Sequence, residues 1–85
     1  PGQVEAIKEI RAKIDFLGYT HVWVYLNEGI EAASVTANGR ELQYNAAAQR
    51  WEGVFDDLRA GDTVQVVVTT ASGERDEGSA TVVAM

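Results

Sequence analysis

Three groups of side chains in this 85-residue chain have the types and spacing to do chemistry. The first is His21, Trp23 and Tyr25, set on alternate positions of a run that is otherwise apolar. Residues two apart on a strand point to the same side, so these rings would line one face. Aromatic faces stack on the apolar faces of sugars and anchor protein interfaces. Trp23 and Tyr25 are therefore the candidate ligand-binding residues. The second group is Asp56, Asp57 and Asp62 around one turn, and the third is Glu74, Asp76 and Glu77 near the C-terminus. Calcium loops place oxygen ligands at alternate positions with a glycine turn and a bidentate glutamate. Neither acidic group has that pattern, so turn-forming and solvated roles are expected, with no metal and no cofactor.

His21 is the only histidine. General acid–base work needs a positioned partner for it; on a strand between Thr20 and Val22 it reads as an ordinary sheet residue. No nucleophile with a base, no phosphate-cradling glycine loop and no dinucleotide fingerprint is present. The chain reads as non-catalytic. Trp51, Tyr44 and Tyr19 are the remaining large aromatics; Trp51 alternates with Gly53 and Phe55 as a core residue should.

The net charge is -6, and the seven basic residues are spread from Lys8 to Arg75. A nucleic-acid binder needs clustered Lys and Arg to displace counterions, so no nucleic-acid partner is expected. There is no cysteine, which excludes disulfides and thiolate chemistry. Apolar residues make up 46% of the chain, enough for one core and one domain over residues 1–85. The longest apolar run, residues 22–26, is far too short to span a bilayer, and no signal peptide opens the chain.

The elements that must carry these groups follow from periodicity. Val4, Ile7, Ile10, Ile14 and Leu17 recur at spacings of three and four, with charged residues between them and Gly18 as a left-handed cap. That pattern predicts a helix over about residues 3–17, so that residues 1–18 form helix and cap and 19–85 a β-sandwich. Its apolar stripe offers a packing face for a sheet, or for a dimer. From residue 19 to 26 the period becomes two, with both faces apolar, as for a central strand covered on both sides. Asn38-Gly39 marks a tight hairpin between strands at 33–37 and 40–44. Further strands are predicted at 51–55, 63–70 and 79–84, where Val64, Val66 and Val68 face the core. Six short strands without intervening helices suggest a sandwich or barrel.

The segments from Ser34 to Tyr44, Trp51-Glu-Gly-Val-Phe55 and Leu58-Arg-Ala-Gly-Asp62 leading into the valine strand together resemble bacterial immunoglobulin-like (Big-type) modules. The resemblance covers roughly the C-terminal two-thirds. It implies an immunoglobulin-like antiparallel β-sandwich, mainly β, of about six strands. An N-terminal α-helix would stand in place of the usual first strand. By that resemblance the chain is a non-catalytic structural or adhesion module of a larger bacterial surface or secreted protein. It would be extracellular and in contact with neighbouring domains or another protein. The acidic calcium ladders of some adhesin repeats are missing. A carbohydrate-binding accessory domain using Trp23 and Tyr25 is the alternative expectation, and an engineered scaffold without a natural ligand is a third.

Overall fold

A computed structural model describes residues 4–85 and contains nine strands and no helix among them. The strands are β1 (Ile7–Ile14), β2 (Thr20–Leu26), β3 (Ala32–Ala37), β4 (Arg40–Glu41) and β5 (Gln43–Asn45). They continue with β6 (Arg50–Phe55), β7 (Thr63–Thr70), β8 (Arg75–Thr81) and β9 (Val83–Ala84). They form a five-stranded sheet in the order β5-β6-β2-β1-β9 and a four-stranded sheet in the order β4-β3-β7-β8.

The helix expected over 3–17 is overturned. Gln3 lies outside the described residues; Ile7–Ile14 is a strand paired along its length with β2. The misleading spacing has a physical origin. Ile10, Ala12 and Ile14 oppose Val24, Val22 and Thr20, an ordinary alternation whose middle member is a small, buried alanine. Ile7 joins the same side because the register slips between Ile7 and Glu9. A bulge of one residue turns a two-residue repeat into a three-residue gap. Three β-branched isoleucines in eight residues also favour the extended form. With no helix, the proposed dimer through a helical stripe falls, and so does the helical cover over β2. Leu17, the last member of the stripe, is 72% exposed.

The alternation read from the middle of the chain holds. Val64, Val66 and Val68 of β7 are fully buried, facing Val22 and Val24 of the opposite sheet and joined by Val35 and Ala37 of β3. Asn38 and Gly39 both take positive φ, as a tight hairpin between β3 and β4 requires.

Nine strands appear where six were expected because β1 replaces the helix and two predicted strands each divide between the sheets. The 40–44 strand breaks at Leu42, leaving β4 in one sheet and β5 in the other. The last strand begins earlier, at Arg75, and breaks at Val82, so that β9 leaves β8's sheet and pairs in parallel with β1. Both switch residues are buried: Leu42 donates its N–H to the Val35 carbonyl, and Val82 donates to Asp62. An apolar side chain at each crossing fills the space between layers. Gly53 is part of that arrangement, since a Cβ there would lie 2.7 Å from Leu42 Cδ2.

Along the seam where β1 passes β8, the two sheets are joined by a side chain. Asp76 Oδ2 accepts the backbone N–H groups of Ala6 and Ile7, both at 2.9 Å, and Val4 donates to the Arg75 carbonyl. These hydrogen bonds hold Asp76 below the usual carboxylate range, the Ile7 amide contributing most, with burial opposing. Asp76 is thus a half-buried joint of the fold rather than the solvated loop residue that composition suggested.

Candidate functional site

The outward face of the five-stranded sheet carries the candidate residues. Register sets its rows: Lys13 opposes His21, which opposes Val54, and Arg11 opposes Trp23, which opposes Glu52. Glu9 opposes Tyr25 in the next row. Trp23 and Tyr25 stand where the alternation of β2 placed them, side by side on one face and half-buried.

What surrounds Trp23 comes from neighbouring strands. The His21 ring stacks beside it at 5.7 Å between centroids and 15° between planes. The Arg50 guanidinium of β6 lies 5.1 Å from the indole centroid, a cation–π geometry. Arg50 also donates to Glu52 Oε1 at 2.8 Å and to the Tyr25 hydroxyl at 3.0 Å. Glu52 accepts a further bond from Asn45 of β5 at 3.1 Å. The Arg50 pair and then the Asn45 bond lower the Glu52 carboxyl, and Glu52 and then Tyr25 raise Arg50 further above its ordinary value. The face is therefore a bonded network in which stacking partners already occupy the indole. A sugar would compete with them. Beside the network runs a shallow depression of about 540 Å³, with Glu41 and Gln43 at its far side.

His21 does find a partner, across the β1–β2 turn. Its Nε2 lies 2.9 Å from Asp15 Oδ2. The other oxygen, Asp15 Oδ1, accepts the N–H groups of Leu17 at 2.9 Å and Tyr19 at 3.0 Å. His21 and the two amides hold the Asp15 carboxyl below its ordinary value, His21 contributing most. Asp15 thereby clamps the turn whose tip is Phe16-Leu17, and Phe16 is 98% exposed. The His21–Asp15 pair therefore ties the start of β2 to the end of β1.

The other acidic groups resolve into structural parts. Asp57 pairs with Arg40 at 2.9 Å, which lowers its carboxyl, and Asp62 accepts the Arg59 N–H at 2.9 Å. No group of three His, Asp or Glu side chains suited to a metal ion occurs among the described residues. Trp51 lies on the inward side, half-buried against the core, with Tyr44 5.4 Å away at a tilt of 54°. Those two rings edge a second depression at the opposite end of the sheet from the Phe16-Leu17 tip. This cleft, of about 890 Å³, is formed by the β2–β3 loop, the start of β1 and the β5–β6 turn.

Sequence reasoning missed Arg50, Asp76 and the Phe16-Leu17 tip. Arg50 and Asp76 matter through partners 25 and 70 positions away, a relation no local pattern displays. The tip did have a signal: two large apolar residues directly before Gly18, which the helical reading absorbed. Among the described residues no helix is long and apolar enough to cross a membrane. No family model matches the chain, and no curated protein matches it.

Proposed function

We propose that this domain is a non-catalytic structural or adhesion module of a larger bacterial surface or secreted protein, built to carry load between neighbouring domains. The observation that carries this reading is the parallel pairing of β1 with β9. The described chain begins at Val4, beside Arg75, and ends at Met85, whose N–H bonds to the Ile14 carbonyl. Its two ends therefore leave from opposite poles of a body 39 Å long. Tension applied through them shears the β1–β2 ladder and the β1–β9 pairing at once, so many hydrogen bonds must fail together. A hairpin peeled from one end breaks them singly.

The strand order lends further support. β5-β6-β2-β1 opposite β3-β7-β8 follows the D-E-B-A opposite C-F-G arrangement of immunoglobulin sandwiches, in keeping with the resemblance to Big-type modules. Such modules are extracellular and touch neighbouring domains or another protein. The saccharide reading keeps one support, the adjacency of Trp23 and Tyr25, and is weakened by the stacking of His21 and Arg50 on the indole.

Single-molecule pulling tests the mechanical reading. The chain has no cysteine, so Thr63→Cys with Thr81→Cys adds a unique pair of handles on opposed residues of the β7–β8 hairpin. Pulled through its ends, an 85-residue chain extends to about 290 Å, for a gain of about 250 Å over its 39 Å folded length. The expected result is a rupture force several-fold higher through the ends than through the hairpin. Equal or lower force through the ends would overturn the load-bearing reading. Titration of intrinsic fluorescence with soluble polysaccharides tests the alternative, which predicts a saturable shift lost in Trp23→Ala.

A further inference from the structure

The turn between β3 and β4 holds the chain's only Asn-Gly pair, Asn38-Gly39. These two residues can react with each other. The Gly39 amide nitrogen, once deprotonated, can attack the Asn38 side-chain carbonyl carbon, since glycine has no Cβ to obstruct the approach. The new N–Cγ bond closes a five-membered succinimide. The Cγ–Nδ2 bond breaks, and the side-chain nitrogen leaves as ammonia with the proton that Gly39 gave up. Water then opens the ring at one of its two carbonyls. Opening at Cγ leaves aspartate; opening at the main-chain carbonyl leaves isoaspartate, with the chain now running through Cγ. One water is consumed and one ammonia released, and no other reagent is needed.

The fold sets two barriers against ring closure. Asn38 has φ 51° and Gly39 φ 80°, values of a type I′ turn, in which ψ of the first central residue is about +30°. At that ψ the Gly39 nitrogen lies nearly opposite Asn38 Cβ about the Cα–C bond, whereas the ring needs the two eclipsed. The carboxamide is also engaged. Its Oδ1 accepts the Gln65 N–H at 2.8 Å, and its Nδ2 donates to the Thr63 carbonyl at 3.4 Å. The Asn38 N–H donates to the Gln65 carbonyl at 2.8 Å, so main chain and side chain together grip β7. Attack requires the turn torsion and both side-chain bonds to be released at once. We infer that Asn38 is a modification site, converted to aspartate and isoaspartate with loss of ammonia when the β3–β4 turn opens, and held unreacted while it is closed.

Asn38 is exposed, so water and base reach it in the folded chain; geometry, not access, withholds the reaction. The other asparagines precede Glu28 and Ala46, whose Cβ atoms crowd the attacking nitrogen. Conversion at Asn38 also acts back on the fold. Aspartate keeps an acceptor for the Gln65 N–H but sets a carboxylate oxygen against the Thr63 carbonyl in place of a donor. Isoaspartate adds a methylene to the main chain of a two-residue turn and spoils the β3–β4 register. That register places the buried Leu42, whose N–H donates to the Val35 carbonyl. Both products therefore loosen the turn that protected the parent residue. The inference is independent of the mechanical reading above.

Incubation of the whole chain at mildly alkaline pH, folded in buffer and unfolded in guanidinium chloride, tests it by peptide mass mapping. Asn38→Asp supplies the aspartate standard, from which isoaspartate separates chromatographically at equal mass. In denaturant, Asn38 should convert about tenfold or more faster than Asn27 and Asn45, with ammonia released in equal amount. Gly39→Ala, measured in denaturant where folding plays no part, should bring Asn38 down to the rate of Asn45. In the folded chain Asn38 should convert at least about tenfold more slowly than in the unfolded one, because local opening gates the reaction. Amide exchange at Gln65, whose N–H is held by Asn38 Oδ1, should be slowed in the folded chain as well. A folded rate within about twofold of the unfolded rate overturns the inference. Free exchange at Gln65 in the folded chain does the same, as does conversion of Asn27 or Asn45 as fast as Asn38 in denaturant.

Discussion

Removing the Asp76 carboxylate should cost this fold more than any other single surface-accessible change. One oxygen accepts two backbone donors from the β1 side of the seam, and the other accepts the Glu77 N–H at 2.9 Å. Ala6 is fully buried, so its freed N–H would meet little water. A hydrogen bond to a charged group is worth about 1.5–3 kcal/mol, and a stranded buried donor costs a similar amount. One bond of this strength plus part of a second puts Asp76→Ala at about 3 kcal/mol, a large share of a small domain's total. Asp76→Asn keeps one carbonyl oxygen for both donors but loses the charge, and its amide must face the Glu77 N–H. About half the loss is expected. Urea unfolding at neutral pH, with unchanged slope, measures both. The pH dependence has a definite sign, because the folded-state value is lowered. The stabilisation is complete above the ordinary aspartate value of about 3.9 and disappears as pH falls through the lowered folded value. The gap between the wild type and Asp76→Asn should therefore narrow on acidification. An Asp76→Ala loss under about 0.5 kcal/mol, the range of neutral surface changes, would refute the seam argument, as would a gap indifferent to acid.

Three further outcomes follow from the same geometry. Gly53→Ala should destabilise by about 1–2 kcal/mol through its clash with Leu42, and a cycle with Leu42→Ala should show the two changes to be strongly coupled. Asp15→Ala should leave the core intact but raise amide exchange at Leu17 and Tyr19. In the wild type the same protection should fade as pH drops through the lowered Asp15 value. Arg50→Ala in a Trp51→Phe background should steepen acrylamide quenching of Trp23, since the guanidinium over that ring is gone; unchanged quenching would mean that Arg50 does not shield it.

The parts of the fold that were legible in the sequence are those whose partners are near in the chain. Asn38-Gly39 carries its own conformational demand, and β7 sets Val64, Val66 and Val68 on one buried side, opposite Thr63, Gln65 and Thr69. The same alternation put Trp23 and Tyr25 together on β2. Which neighbours they would meet depended on register with β6, and Arg50 sits 25 positions from Tyr25.

The first strand shows where local reading stops. Ile7, Ile10 and Ile14 fit a helical stripe, and a bulged strand with Ala12 in its row produces the same spacing. Within the segment only the β-branched isoleucines lean towards the strand, and that preference is weak. The choice is made by β2 on one side and by β9 and Asp76 on the other, the latter about 70 residues away. Composition and alternation were enough to establish a β-rich chain with a single valine-lined interior, because burying one side of each ribbon is a demand every strand meets by itself. Closure of the seam, the two switches between sheets and the opposed poles came only from the assembled molecule, because the backbone groups on the edge of the first strand away from β2 find their partners about 70 residues on, at Asp76 and in β9.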